Sequence, residues 1–191
     1  MILGSHNSWS YLPPKHWWMW PFHFMAKCQR VDIREQYEKY GVRCFDLRVR
    51  WKKWKMQVAH GIIEYDISEE QIAEHLRWLD DMGGCCVRIL HEARSKKQHT
   101  EANRRAFRDM CQQLEWKYPN IRFWCGRNLY NWTCDYNFRY RPTCDEKYSS
   151  VCYPRIIDDW WPWLYAVIRN KENLAKGTKD DILLIDFIDI R

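Results

Sequence analysis

Seven side chains able to move protons or grip an anion stand where short apolar runs give out: His6, Asp46, Arg48, His60, Glu92, Arg127 and Asp186. Histidine changes charge near neutral pH, so His6 and His60 are the candidates for proton transfer. His6 sits in GSHNS, after Gly4 and Ser5 and before the carboxamide of Asn7. Arg48 offers a planar fork of donors suited to phosphate oxygens. Asp46, two residues earlier, falls on the same face of an extended strand, and an ion pair is the plain structural reading of the two. For His6 and His60 the plain reading is a satisfied structural histidine.

The elements that must hold these residues follow from periodicity. MILGSHNS begins apolar and turns polar, as a buried strand ending at a site does. Residues 9–25 carry tandem prolines and a dense aromatic cluster and are read as an irregular insertion. Within it His16 and His23 are expected at the surface, and Trp17, Trp18, Trp20, Phe22 and Phe24 as a packed lid or an interfacial loop. Asp32 caps a helix over 33–40 that Gly41 ends. VRCFDLRVRW and MQVAHG are strands, the second ending in His60 and Gly61. Ser68, Glu69, Glu70 and Gln71 make a capping box, with Ile72, Leu76 and Leu79 at helical spacing and Gly83 and Gly84 as the stop. His75 on this helix, like His99, is expected to face solvent.

Residues 85–90 form a buried strand running out into His91 and Glu92, and 101–117 a helix with Ala102, Ala106, Met110 and Leu114 on one face. Residues 121–125 are a further strand, followed by Arg127. A helix starting at Asp158 or Asp159 and a closing strand, ILLIDFIDIR, complete the chain. Strands alternating with helices, with polar residues at strand ends, predict an α/β fold: a TIM-barrel-like (β/α) barrel or a doubly wound sheet. In a parallel barrel the strand C-terminal ends build the site. With only five or six strands in evidence, the barrel is expected to be small and incomplete.

Composition sets the frame. The 191 residues suit a single domain over 1–191, 46% hydrophobic and 29% charged, with no run apolar enough to span a bilayer. The nine cysteines are irregularly spaced without CxxC, so they are read as reduced core residues rather than a disulfide framework or a zinc site. The net charge of +6 favours anionic partners, but the basic residues are dispersed and no nucleic acid is expected. The first residues lack a basic region and a long apolar core, so the sequence as given reads as cytoplasmic, or as secreted if a leader has been removed.

GSHNS, then YGVRCFDLRVRW, then a strand ending in VAHG, occur in an order and at intervals that resemble the X-region of phosphatidylinositol-specific phospholipase C, bacterial type. The closing IDFID is similar to the acidic last strand of the bacterial enzymes. The resemblance implies a phosphodiesterase in which His6 is the general base and His60 the general acid. Arg48 would stabilise the phosphate, as in the metal-independent members, and Asp46 would orient Arg48 or His60. Asp186, with Asp189 as its rival, would hold His6 in its useful tautomer.

Asn7, Glu92 and Arg127 are implied in substrate binding. Asn7 departs from the bacterial pattern toward the calcium-dependent one, so Asn7, Asp46 and Glu92 form a minority calcium set; Arg48 in their midst argues against it, and no cofactor is expected. The expected partner is a phospholipid or small phosphodiester, with peripheral membrane contact through the aromatic loop, 16–25. The alternative is a catalytically silent module that binds anionic lipid or phosphate in the same pocket.

Overall fold

A computed structural model describes residues 1–52, 55–92, 100–125, 136–143, 145–148 and 161–191. Its strands are β1 (Ile2–Ser5), β2 (Cys44–Lys52), β3 (Lys55–His60), β4 (Ile63–Glu64), β5 (Cys86–His91), β6 (Arg122–Trp124), β7 (Asp145–Tyr148) and β8 (Asp181–Ile185). Among the described residues four α-helices lie between them: α1 (Ile33–Glu38), α2 (Glu69–Met82), α3 (Glu101–Lys117) and α4 (Pro162–Lys176). No described helix is long and apolar enough to cross a membrane.

The strands join into one mixed sheet whose parallel backbone runs β6-β5-β2-β1-β8-β7. The first half of β2 lies between β1 and β5, with Gly4 opposite Cys44 and Asp46 opposite Arg88. Its second half turns back into β3, antiparallel, with Val49 opposite Val58. Among the described residues no pairing joins β6 to β7, so the sheet is open there.

Local chemistry explains the elements. Ser68 Oγ accepts from the Gln71 amide at 3.2 Å, and Gln71 Oε1 accepts from the Ser68 amide at 2.9 Å, the reciprocal capping box that starts α2. Asp32 caps α1 by accepting from the Glu35 amide at 2.8 Å. After Asp181, β8 reads as an unbroken apolar run because both its faces are covered, and each of its five residues is buried. Gly4 lets β1 sit tightly between neighbours: a Cβ there would lie 2.4 Å from Leu184 Cδ2 and 3.0 Å from Cys44 Cβ.

Several expectations are corrected. Residues 17–25 form a 3-10 helix, Trp17–Met25, rather than an irregular loop. Its rings are not packed as a lid: Trp17 is 78% exposed, and Trp18, Trp20, Phe22 and Phe24 are also open to solvent. His23, expected at the surface, is the buried residue of this helix and packs edge-on to Tyr65. His75 is part-buried, accepting from Trp9 Nε1 at 3.2 Å, because the loop after β1 lays an indole across α2. The last helix begins at Pro162, and the positions 158 and 159 lie outside the described residues, as do His99 and Arg127.

Candidate active site

The parallel strands all end at one edge of the sheet, and this edge gathers the polar side chains. β1 ends at Ser5 and hands His6 to the edge; the His6 amide stays in the ladder, donating to Ile185 at 2.9 Å. The chain then turns sharply at Asn7, whose φ of 43° lies in the left-handed region that asparagine tolerates better than most residues. This turn aims the Asn7 amide at Asp46 Oδ2, 3.0 Å away.

Asp186 follows β8, the neighbour of β1, and its Oδ1 lies 2.7 Å from His6 Nδ1. A carboxylate accepts, so this contact places the Nδ1 proton on His6 and leaves Nε2 as the basic nitrogen. Arg48 Nη2 stands 2.6 Å from Nε2 and donates to it. Gln29 clamps the two strand ends together. Its Nε2 donates to the His6 and Ile185 carbonyls at 3.0 and 2.9 Å, while its Oε1 accepts from the Ile188 amide at 3.1 Å.

Asp46 is the electrostatic hub beneath the site. Fully buried, it accepts from Arg48 Nε at 2.9 Å and from Arg88 Nη1 at 3.2 Å. Burial alone would raise its carboxyl, but the Arg48 and Arg88 guanidiniums, with His6 and the Asn7 amide, outweigh it and hold the group well below the usual carboxylate range. Arg48 reaches Glu92 Oε2 through Nη1 at 3.4 Å, and Glu92 Oε1 accepts from the Gly61 amide at 3.0 Å. Against the pull of burial, Asp46 and Glu92 keep the Arg48 guanidinium firmly protonated.

His60 closes the other side, at the end of β3. Its ring meets that of His6 edge-on, 5.5 Å between centroids. Nδ1 lies 3.1 Å from the Ala26 carbonyl, an acceptor only, so the neutral ring carries its proton there and its lone pair on Nε2. Burial, and then the charge of Arg48, lower the His60 pKa to about 4, so the ring is neutral at neutral pH. Arg50 fixes the turn that carries it, donating to the Gly61 carbonyl at 2.7 Å, to Glu64 at 3.1 Å and to the Glu92 carbonyl at 3.1 Å.

His6, Asp46, Arg48, His60, Glu92 and Asp186 therefore meet at one edge. Asp189 does not compete for His6; it lies 3.7 Å from Arg30. Asn7 contributes its backbone. Its carboxamide is fully buried, with Nδ2 at 3.4 Å from both the Ala26 carbonyl and the Tyr65 hydroxyl. Asn7, Asp46 and Glu92 do not fit a hard cation, because both carboxylates already accept from guanidinium and amide donors.

Sequence reasoning missed three neighbours. Arg88 had a signal, a charge inside the buried run CVRILH that demanded a partner, and the strand register supplies Asp46. Gln29 and Cys28 had none. Cys28 is fully buried with its Sγ 3.8 Å from His60 Nδ1. A sulfur of Cys28, a ring nitrogen of His6 and a carboxylate oxygen of Asp186 all lie within 4.8 Å of one another.

As a chemical device, the edge holds a carboxylate-held histidine, a fixed guanidinium and a second, neutral histidine. It can bind an anion and pass protons on either side of it.

No family model and no curated protein matches the chain. Solved structures do. The phosphatidylinositol-specific phospholipase C of Listeria monocytogenes superposes with a TM-score of 0.55 at 12% identity, covering 97% of this chain and 87% of that one. The phosphatidylinositol-specific phospholipase C of S. aureus, in a structure concerned with its membrane binding, gives 0.48 at 14% identity over 97% and 72% of the two chains. At such identity the Listeria likeness is one of fold, a mixed α/β fold shared with that enzyme, and the second is too distant to add to it.

Proposed function

We propose that the protein is a metal-independent phosphodiesterase of the phosphatidylinositol phospholipase C type, acting on a phosphoinositide or a related small phosphodiester. The observation that carries this reading is the contact of His6 with Asp186, 2.7 Å long between residues 180 apart in sequence, with Arg48 2.6 Å from the opposite ring nitrogen. A structural histidine needs neither a carboxylate behind it nor a guanidinium in front of its lone pair. The fold shared with the Listeria enzyme supports the reading without assigning the residues.

In this scheme His6 Nε2 takes the proton of a substrate hydroxyl as that oxygen attacks phosphorus. The Nδ1 proton stays with Asp186, which stabilises the imidazolium that forms. Arg48 leaves Nε2 for the phosphate oxygens and meets the charge that develops on them, while Asp46 and Glu92 hold its other nitrogens in place. His60 delivers a proton to the departing alkoxide. When water opens the resulting cyclic phosphate, the two histidines exchange tasks.

The neutral state of His60 is the obstacle to this scheme and also points to its control. Arg48 is one cause of that state, after burial. A bound phosphate offsets the Arg48 charge and raises the His60 pKa, so the substrate itself arms the acid. The second reading, a silent module that binds anionic lipid or phosphate, is favoured by the same observation, since a histidine that never protonates cannot serve as an acid.

The exposed rings of Trp17, Trp18, Trp20, Phe22 and Phe24 suit contact with a lipid–water interface. They lie on the segment that leads into Ala26 and Cys28 beside His60. A mixed sheet left open between β6 and β7 among the described residues is compatible with an incomplete barrel of the TIM type.

The test is incubation with phosphatidylinositol vesicles and with small phosphodiesters in excess chelator, products followed by phosphorus NMR. A cyclic phosphate followed by its monoester is expected. Binding without turnover favours the silent module, and turnover that requires added calcium contradicts the metal-independent scheme.

A further inference from the structure

We propose that Cys28, His6 and Asp186 form a binding site for a thiophilic divalent ion, Zn2+ by its chemistry, and that occupation of this site switches off the acid–base edge. The three side chains are buried, and they are the one such group of potential ligands among the described residues. Thiolate, imidazole and carboxylate are the three donor types of zinc, with bonds of about 2.0–2.3 Å. Donor atoms already within 4.8 Å of one another need only small shifts to reach that geometry.

Two further observations point to a ligand. Asp186 is 1% exposed; besides His6, its carboxylate has the Cys28 thiol as a neighbour, and Oδ2 makes no conventional hydrogen bond. A buried carboxylate oxygen so weakly matched is costly, and a cation would satisfy it. Cys28 has no task in the proton transfers, yet its sulfur stands beside both histidines.

The objection raised against calcium does not apply. Calcium would have to use Asp46 and Glu92, which Arg48 occupies, whereas Arg48 meets the zinc cluster at His6 Nε2, opposite the Nδ1 that faces Asp186, and sulfur selects a softer ion. The fourth position falls to water, or to His60 if it releases the Ala26 carbonyl.

The protons balance simply. The ion takes the Nδ1 lone pair of His6, so the Nδ1 proton moves to Nε2. The Cys28 thiol loses its proton to solvent. One proton is therefore released per ion bound, and the site gains one positive charge. With Nε2 now carrying hydrogen, it and Arg48 Nη2, 2.6 Å apart, are two donors facing each other. Arg48 must withdraw, and His6 has no lone pair left to act as base. The binding rests on the cluster alone; the switching-off rests on the phosphodiesterase reading above.

The experiment is titration of the reduced, chelator-treated full chain with Co2+ and Zn2+, for the wild type and for Cys28→Ser, Cys28→Ala and Asp186→Asn. Expected is a thiolate-to-cobalt charge-transfer band saturating at one equivalent, displaced by Zn2+ and unaffected by Ca2+ or Mg2+. Both Cys28 variants should lose the band and weaken Zn2+ binding by at least about ten-fold, and Asp186→Asn should weaken it with the band retained. Absence of the band overturns the site, and so does an unchanged band in folded Cys28→Ser, which would assign the metal to other cysteines. In parallel, Zn2+ should abolish phosphodiester turnover reversibly, and the ratio of rates with and without Zn2+ should return toward one in Cys28→Ala. A cobalt band on a protein that turns over no phosphodiester would defeat the function while leaving the site standing. Turnover indifferent to bound Zn2+ would overturn the switch.

Discussion

The two histidines of the edge face each other across 5.5 Å in opposite surroundings. His6 rises from the end of a buried parallel strand, with a carboxylate behind it and its backbone in the ladder. His60 ends an antiparallel hairpin strand, held by a carbonyl and by a turn that Arg50 and Glu92 brace. The carboxylate fixes the tautomer of the first ring, whereas burial and the nearby guanidinium keep the second uncharged. The two rings share Arg48 and differ in the group that holds Nδ1, a carboxylate for His6 and a backbone carbonyl for His60.

The most severe way to break this contrast is to remove what is special to the His6 side. Asp186→Asn keeps the shape but loses the anion that fixes the tautomer, and a loss of about 10³–10⁴ in kcat on a phosphodiester is expected, with circular dichroism unchanged. A loss below about ten-fold would reduce the His6 contact to a structural one.

Next comes the hub that both sides share. Asp46→Ala strips the charge from between Arg48 and Arg88, leaving Arg88, 1% exposed, without its carboxylate. Urea denaturation should register about 3–5 kcal/mol of destabilisation. A cost under about 1 kcal/mol would mean that Arg88 finds its compensation elsewhere.

The contrast sharpens in the titration of His60. Histidine NMR should place its pKa near 4 in the free protein, and higher in Arg48→Met or with phosphate bound. An unchanged value in Arg48→Met would leave burial as the whole cause. The same shift has a stability consequence. The unfolded chain accepts this proton near 6.5 and the folded one only near 4, so the contribution is complete above about pH 6.5 and is lost as pH falls toward 4. The slope from this group is at most about 1.4 kcal/mol per pH unit, and His60→Gln should flatten the profile in that window.

The smallest stability effect is expected at the rim. Trp17→Ala and Trp20→Ala remove exposed rings, so stability should change by no more than about 0.5 kcal/mol while sedimentation with phosphatidylinositol vesicles falls. Vesicle binding equal to wild type would remove the 3-10 helix from the interface.

The placement of His6 and Asp186 at strand ends was legible in the sequence, because apolar runs announce the strands, whereas their pairing came from the family resemblance alone. The capping box that starts α2 and the Asp32 cap of α1 are equally local and were readable for the same reason. What escaped depends on long-range placement. Gln29 and Cys28 reach the edge only because the loop after β1 folds back across the strand ends, and no period in a polar loop encodes that return. His75 lies on a helix face whose periodicity marks it as outward, but the indole of Trp9 covers it. β7, with the polar sequence DEKY, is a strand through its pairing with β8 rather than through composition. The aromatic cluster at 17–25 revealed a special segment without saying whether its rings pack inward or stay open.

The central claim is that the pair of histidines does the chemistry without a metal. The most direct measurement is turnover of phosphatidylinositol in excess chelator by the wild type, His6→Ala and His60→Ala, purified side by side. Turnover by the wild type and a loss of about 10²–10⁴ in each variant are expected. Wild-type rates in either folded variant would contradict the claim.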